Sequence, residues 1–291
     1  MTGIRLLLAA GLAAAALAPA GARAHSLAVV WHPPHPRAGD AAWVHVKAVA
    51  PDATVEGSVN GRPLSFFPYA QGQAAVAGFD LELKPGSQRW RVAVLRPGHE
   101  PQTVQGQVRL RRRDFAIQRL TLPPAMVNLE PQTERRAEEE SERLRTAYRM
   151  ISPERLWRGR FARPVGGAEP GTGFGARRVI NGQPRAPHGG IDFAAPAGSP
   201  VVAANDGRVA LVGEYFFPGR LVIVDHGLGL YTLYFHLETI TVGAGERVSR
   251  GQPIGTVGAT GRATGPHLHF GAQLGTARID PGSLLELSIA D

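Results

Sequence analysis

The chain has 291 residues, 43% of them hydrophobic, which suits a folded protein of up to two modest domains and excludes a disordered one. It contains no cysteine, so disulfides and thiolate metal sites are excluded, and any metal must be held by nitrogen and oxygen donors. The formal charge of +8 rests on arginine, with Lys47 and Lys84 the only lysines, and no nucleic-acid-binding motif accompanies it.

Residues 1–24 read as a secretory signal. Arg5 supplies the positive start, Leu6 to Ala18 is an apolar stretch too short for a comfortable membrane span, and Ala22-Arg23-Ala24 offers a cleavage site. The mature chain would begin at His25. No cysteine follows the apolar stretch, so a lipid anchor is excluded, and no later segment is apolar enough to span a bilayer. Export is therefore expected. His25, with His32 and His35 nearby, is also a weak candidate for Cu(II), outweighed by a frayed, proline-rich start.

Residues 25–113 are expected to form a small β-sandwich. Strands are predicted at Ala42–Val49, on either side of an Asn60-Gly61 hairpin turn, at Phe79–Leu83, at Trp90–Val94 and at Val108–Leu110. Residues 114–160 read as a linker carrying one charged helix over Glu130–Arg149, with a pair at Glu139–Arg143 and a thin apolar stripe of Leu144, Ala147 and Met150. A solvated spacer is the leading reading of that helix, and a lid or partner-binding helix the lesser one. Residues 161–285 alternate short apolar runs with Gly-rich turns and show no helical period, so a compact antiparallel β domain is expected, followed by a tail at 286–291. The fold class is mainly β.

Within that last domain four histidines and one aspartate stand out: His188-Gly-Gly-Ile-Asp192, Tyr234-Phe235-His236 and His267-Leu268-His269. Two histidines and one carboxylate make a three-donor set that leaves one zinc position open, as catalytic sites require. The other two histidines would then move protons. On a strand, His267 and His269 share a face, with Leu268 buried behind them. Each cluster is weak alone, and the combination is a complete site.

These motifs resemble the M23 metallopeptidases of the lysostaphin and LytM type. The resemblance extends through Phe174-Gly175-Ala176-Arg177, Gly190-Ile191-Asp192-Phe193 and Val248-x-x-Gly251-Gln252. It continues through Gly258-x-Thr260-Gly261 and Gly265-Pro266-His267-Leu268-His269-Phe270. Around Phe79-Asp80-Leu81 and Lys84-Pro85-Gly86, the upstream region more loosely resembles an N-terminal domain attached to Gram-negative members.

The resemblance implies one Zn2+ per chain, with His188, Asp192 and His269 as ligands and His236 and His267 as catalytic histidines. Which of the two takes the proton stays open at this level. It also implies peptidoglycan as the partner, D-Ala–meso-diaminopimelate crosslinks as the target, and a periplasmic location, with secretion as the alternative. Arg177, Arg178, Arg185 and Tyr234 are candidates for lining the substrate groove, the arginines meeting carboxylates. The competing readings are a non-catalytic LytM-type regulator of cell-wall amidases, and an endopeptidase for glycine-rich bridges or proteins. The complete donor set argues against the regulator.

Overall fold

The computed structural model describes residues 27–169, 171 and 173–289. The expected signal segment, its cleavage site and His25 lie outside the described residues. Two four-stranded antiparallel sheets form the N-terminal region. One runs in the order Ala28–His32, Ala41–Lys47, Gly72–Gly78, Phe66–Tyr69, and the other Arg62–Pro63, Thr54–Val59, Gly86–Leu95, Gln102–Leu110. Asn60 and Gly61 close the expected hairpin with φ of 50° and 74°, the left-handed pair that a two-residue turn demands.

Strand Ala41–Lys47 explains how this region meets the rest. Ala42 and Val44 face the second sheet, packing with Val59, Val108 and Leu110. Ala41 and Trp43 face the other way and join Phe67, Ala74, Val76, Trp157 and Ile279 in the C-terminal core. Both faces are buried, so the polar half of the usual alternation is largely missing from its sequence.

The segment Phe79–Leu83 is not the expected strand but a turn. Asp80 sets it: its Oδ1 accepts the Glu82 N–H at 3.0 Å and its carbonyl accepts the Leu83 N–H at 2.9 Å. The alternation that suggested a strand has another cause. Phe79 is buried in the sandwich core and Leu81 in the C-terminal core, so the turn straddles two hydrophobic clusters.

Asp80 also ties the two regions together. Its carboxylate accepts from the Arg278 backbone N–H at 2.9 Å and from the guanidinium at 3.0 and 3.2 Å, while Glu82 takes the same guanidinium at 2.5 Å. Burial pushes the Asp80 pKa up, but Arg278 and the backbone donors outweigh it and hold the carboxyl below its ordinary range. Arg278→Ala should destabilise the fold by about 1–2 kcal/mol, since both partners keep some contact with water. The lowered pKa makes this stabilisation complete above the ordinary aspartate pKa of 3.8 and lost as pH falls through the native value. Urea unfolding of parent and variant should therefore converge in acid; a difference unchanged by pH would remove Asp80 from the account.

The charged helix forms at Pro131–Arg149 (α1) and is not solvated all round. Ala137, Ser141, Leu144 and Tyr148, spaced as one helical face, turn inward, and Leu144 and Tyr148 pack on Leu221, Ile223, Tyr231 and Leu233. Met150 does not extend the stripe: the helix ends at Arg149 and Met150 is 66% exposed. Side-chain pairs form at Arg136–Glu140 and Glu142–Arg145, both 2.7 Å, and not at Glu139–Arg143 among the described residues.

The C-terminal region is a nine-stranded sheet whose main path is Gly190–Phe193, Leu268–Leu274, Leu230–Ile240, Gly219–Asp225, Gly207–Tyr215, Arg247–Val248, all antiparallel. Strand Arg177–Ile180 instead pairs in parallel with Ile117–Leu120 and stitches the linker to the region's edge. A short helix, Pro281–Glu286 (α2), was not expected. Its signal is local: Asp280 caps it by accepting the Gly282 N–H at 2.8 Å, with proline at the first position. Leu287 and Ile289, placed by the sequence in a tail, are buried in the core. Among the described residues no helix is long and apolar enough to cross a membrane.

Candidate active site

Sheet register builds the site. Asp192 lies directly opposite His269 across one strand pair, and His269 lies opposite Phe235 across the next. The Phe235 ring stacks on the His269 imidazole at 5.3 Å. His188 stands just before the strand that carries Asp192. Gly190 lets that strand come close, because a Cβ there would sit 2.4 Å from the Phe270 carbonyl and 2.7 Å from His269 Nε2. Leu268 and Phe270 are buried behind, as the alternation predicted.

Three donor atoms converge. His188 Nε2 is 2.8 Å from His269 Nδ1 and 3.1 Å from Asp192 Oδ1, and His269 Nδ1 is 3.0 Å from that same oxygen. A tetrahedral ion bound at about 2.0–2.1 Å would hold its ligands about 3.3 Å apart, so a triangle of this size fits one small cation. The tautomer fits as well: His188 Nδ1–H donates to the Gly173 carbonyl at 3.1 Å, leaving the Nε2 lone pair facing the other donors. Burial pushes the Asp192 pKa up, but His188 and His269 outweigh it and hold the group far below the carboxylate range. Burial first, and the neighbouring His188, push His269 down to about 4, against the opposing pull of Asp192. The triad is thus an ionised carboxylate with a neutral His269, which suits a metal.

His236 and His267 stand beside it, ring centres 4.8 Å apart. Each is fixed in the same way as His188. His236 Nδ1–H donates to the Thr260 carbonyl and His267 Nδ1–H to the Gly265 carbonyl, both at 2.8 Å, so in the neutral ring Nε2 is the acceptor. His267 Nε2 is 3.9 Å from Asp192 Oδ1. Burial, and then the charges of His269 and His267, push His236 down to about 3 and keep it neutral.

Simple alternation would send His236 into the core with Tyr234. The ladder prevents this. Between the pairs Val222–Tyr234 and Arg220–Leu237 the His236 strand carries one extra residue, a bulge, and His236 has φ of 64°. Tyr234 stays on the core face. It is fully buried, its hydroxyl accepting the Ala204 N–H at 2.8 Å and the Thr232 hydroxyl at 3.0 Å. The expectation that Tyr234 lines the groove is therefore corrected: the bulge separates it from His236.

The site opens into a cavity of about 260 Å3 walled by His188, His236, His269, Phe217, Arg178 and Arg262, and on its far side by α1 through Ala137, Glu140 and Leu144. Of the expected arginines, only Arg178 reaches this wall, 3.9 Å from Asp192 Oδ2. Arg185 donates to the Val127 carbonyl at 3.2 Å and to Gln183 at 2.6 Å, and Arg177 is exposed on the strand that pairs with Ile117–Leu120. Arg262, Phe217 and the α1 residues escaped the sequence reading. The only hint was the Gly258-x-Thr260-Gly261 motif, whose Thr260 carbonyl holds His236 and whose next residue is Arg262.

The region that carries these residues matches known proteins. The sequence profile of peptidase family M23 matches residues 186–281. A Pseudomonas aeruginosa structure described as a peptidase M23 superposes with a TM-score of 0.68 at 32% identity, covering 86% of this chain and 95% of that one. The chain belongs to peptidase family M23. Among curated relatives, the peptidoglycan DD-endopeptidase ShyA of Vibrio cholerae is 49% identical over 85 residues, 29% of this chain and 20% of that protein. The DD-carboxypeptidase/endopeptidase Mpg of Neisseria meningitidis is 43% identical over 108 residues, 36% of this chain and 25% of that one. These matches thus span a quarter or less of those relatives. The family match at residues 186–281 spans His188, Asp192, His236, His267 and His269.

Proposed function

We propose that this M23 peptidase is an exported zinc endopeptidase that hydrolyses peptide crosslinks of peptidoglycan at D-Ala–meso-diaminopimelate bonds. The observation that carries the reading is the convergence of His188 Nε2, Asp192 Oδ1 and His269 Nδ1 within 3.1 Å of one another, beside two more imidazoles with free Nε2 atoms. His188, Asp192 and His269 would hold the zinc. Bound there, zinc lowers the pKa of a coordinated water and polarises a carbonyl.

The chain's own groups do the rest. His236 and His267 face the same space with their acceptor nitrogens, and one of them takes the proton from the attacking water. The water oxygen bonds to the carbonyl carbon, the C–N bond breaks, and the proton passes to the departing amine. While it holds that proton, the first imidazole is a cation facing the developing oxyanion, and the neutral second imidazole accepts a hydrogen bond from the attacking oxygen. The Thr260 and Gly265 carbonyls hold both rings in the required tautomer throughout. The peptidoglycan substrate is supported by the activities for which ShyA and Mpg are named.

The test uses the purified mature chain with peptidoglycan sacculi and with a soluble crosslinked muropeptide dimer, products being identified by mass spectrometry. Cleavage of the D-Ala–meso-diaminopimelate bond, abolished by chelator and restored by zinc, is the expected result. No chelator-sensitive cleavage of either substrate would sink the proposal. In that case the amidase-regulator reading becomes the one to pursue.

A further inference from the structure

Two guanidinium groups, Arg178 and Arg262, line the cavity, and Arg185 is near enough for its charge to act on Arg262. Burial lowers the Arg262 pKa most, and the nearby charges of Arg178 and Arg185 lower it further. Arg178 and Arg185 have polar partners. Arg178 donates to Gln118 Oε1 at 3.1 Å and lies 3.9 Å from Asp192 Oδ2, and Arg185 bonds to Val127 and Gln183. Arg262 differs. Its guanidinium lies over the Phe217 ring at 4.2 Å, and its backbone N–H donates to the Phe217 carbonyl at 2.9 Å. Among the described residues no carboxylate comes within 4.0 Å of it.

The acidic side chain that lines the same cavity is already engaged. Glu140 Oε1 accepts from Arg136 at 2.7 Å and its Oε2 accepts the Phe216 N–H at 2.6 Å. Arg262 is thus a partly buried cation, stacked in place, beside another cation and facing a cavity. Desolvating such a charge with no anion is costly, and the cost is recovered only when an anion arrives. Planar guanidinium groups favour carboxylates, which they can grip in a bidentate way.

We propose that Arg262, with Arg178 beside it, binds a free α-carboxylate on the substrate residue that supplies the amine of the scissile bond. The position follows from Arg178, which stands 3.9 Å from Asp192 Oδ2, at the edge of the donor triangle. An anion shared by Arg178 and Arg262 sits within about one residue of the bond to be cut. On the amine side, a free α-carboxylate stands there only if that residue is C-terminal, or is a diamino acid whose linked centre keeps its own carboxylate. A D-Ala–meso-diaminopimelate crosslink and a D-Ala–D-Ala terminus both qualify. Glycine bridges and internal protein bonds carry an amide there and do not.

The proposal rests on the peptidoglycan-peptidase reading, and its test separates the two. The substrates are two soluble crosslinked dimers that differ only in the amine-side α-carboxylate, free in one and amidated in the other. The parent chain should favour the free acid by about 100-fold in kcat/KM, mostly through KM, the scale of a charge-assisted bidentate contact. Arg262→Gln should bring that ratio to within about threefold of unity, and Arg262→Lys, which keeps the charge but loses the fork, should fall between.

A ratio between two substrates on one protein is not mimicked by partial misfolding. An undiminished ratio in Arg262→Gln, or a parent that does not distinguish the dimers, overturns the carboxylate site. If the parent cuts neither dimer, the peptidase reading fails instead, and calorimetric binding of the same two dimers decides this one. Tighter binding of the free acid by parent but not by Arg262→Gln upholds the anion site, and equal binding overturns it.

Discussion

Replacing His269 with alanine should empty the proposed metal site and abolish hydrolysis. Its Nδ1 is one of three donors, 3.0 Å from Asp192 Oδ1 and 2.8 Å from His188 Nε2, and a two-donor remnant holds zinc poorly. The expected result is a fall from about one zinc per chain to near zero after dialysis, with kcat/KM down by about 10³-fold or more, the scale of losing several kcal/mol of transition-state stabilisation. Elemental analysis and circular dichroism on the same sample check both parts. Zinc content unchanged from the parent would remove His269 from the ligand set.

Replacing His236 with alanine should separate proton transfer from metal binding. His236 is held by the Thr260 carbonyl and lies 4.8 Å, centre to centre, from the His267 ring, but it is not one of the three converging donors. The variant should keep its full complement of metal while kcat falls by about 10²–10⁴-fold, the range for losing a positioned acid or base. Parallel loss of metal and activity would instead assign His236 to the coordination sphere. Comparing the two variants by metal content and turnover therefore tests the division of labour among the five residues.

Much of this site could be read from the chain, because strand geometry is short-ranged. His267 and His269 share a face two residues apart, with Leu268 and Phe270 buried behind them, and no tertiary information is needed to say so. What could not be read is register. That Asp192 falls opposite His269 depends on how two distant strands pair. The bulge at His236 shows the limit most clearly. One inserted residue sends Tyr234 into the core and His236 to the site, although a two-residue spacing implies a common face.

The misread strand at Phe79–Leu83 has the opposite origin. Its alternation is real, but it arises from a turn that reaches into two cores. The inward face of α1 was hidden because Ser141 and Tyr148 are not simple apolar markers, whereas Met150 is one and lies outside the helix. Arg262 had no pattern to betray it. A single arginine in a loop acquires meaning only from Phe217, Arg178 and the cavity around it.

The left-handed backbone of His236 has a consequence for anyone trying to toughen this enzyme. A non-glycine residue at φ of 64° is strained by roughly 1 kcal/mol or more, and glycine or asparagine would relax it. If His236 has the proposed proton-transfer role, position 236 is one where heat resistance and turnover select different residues. A screen scored on melting temperature alone would be drawn towards relaxed, inactive proteins. A screen scored on cleavage would keep the histidine and seek its stability elsewhere.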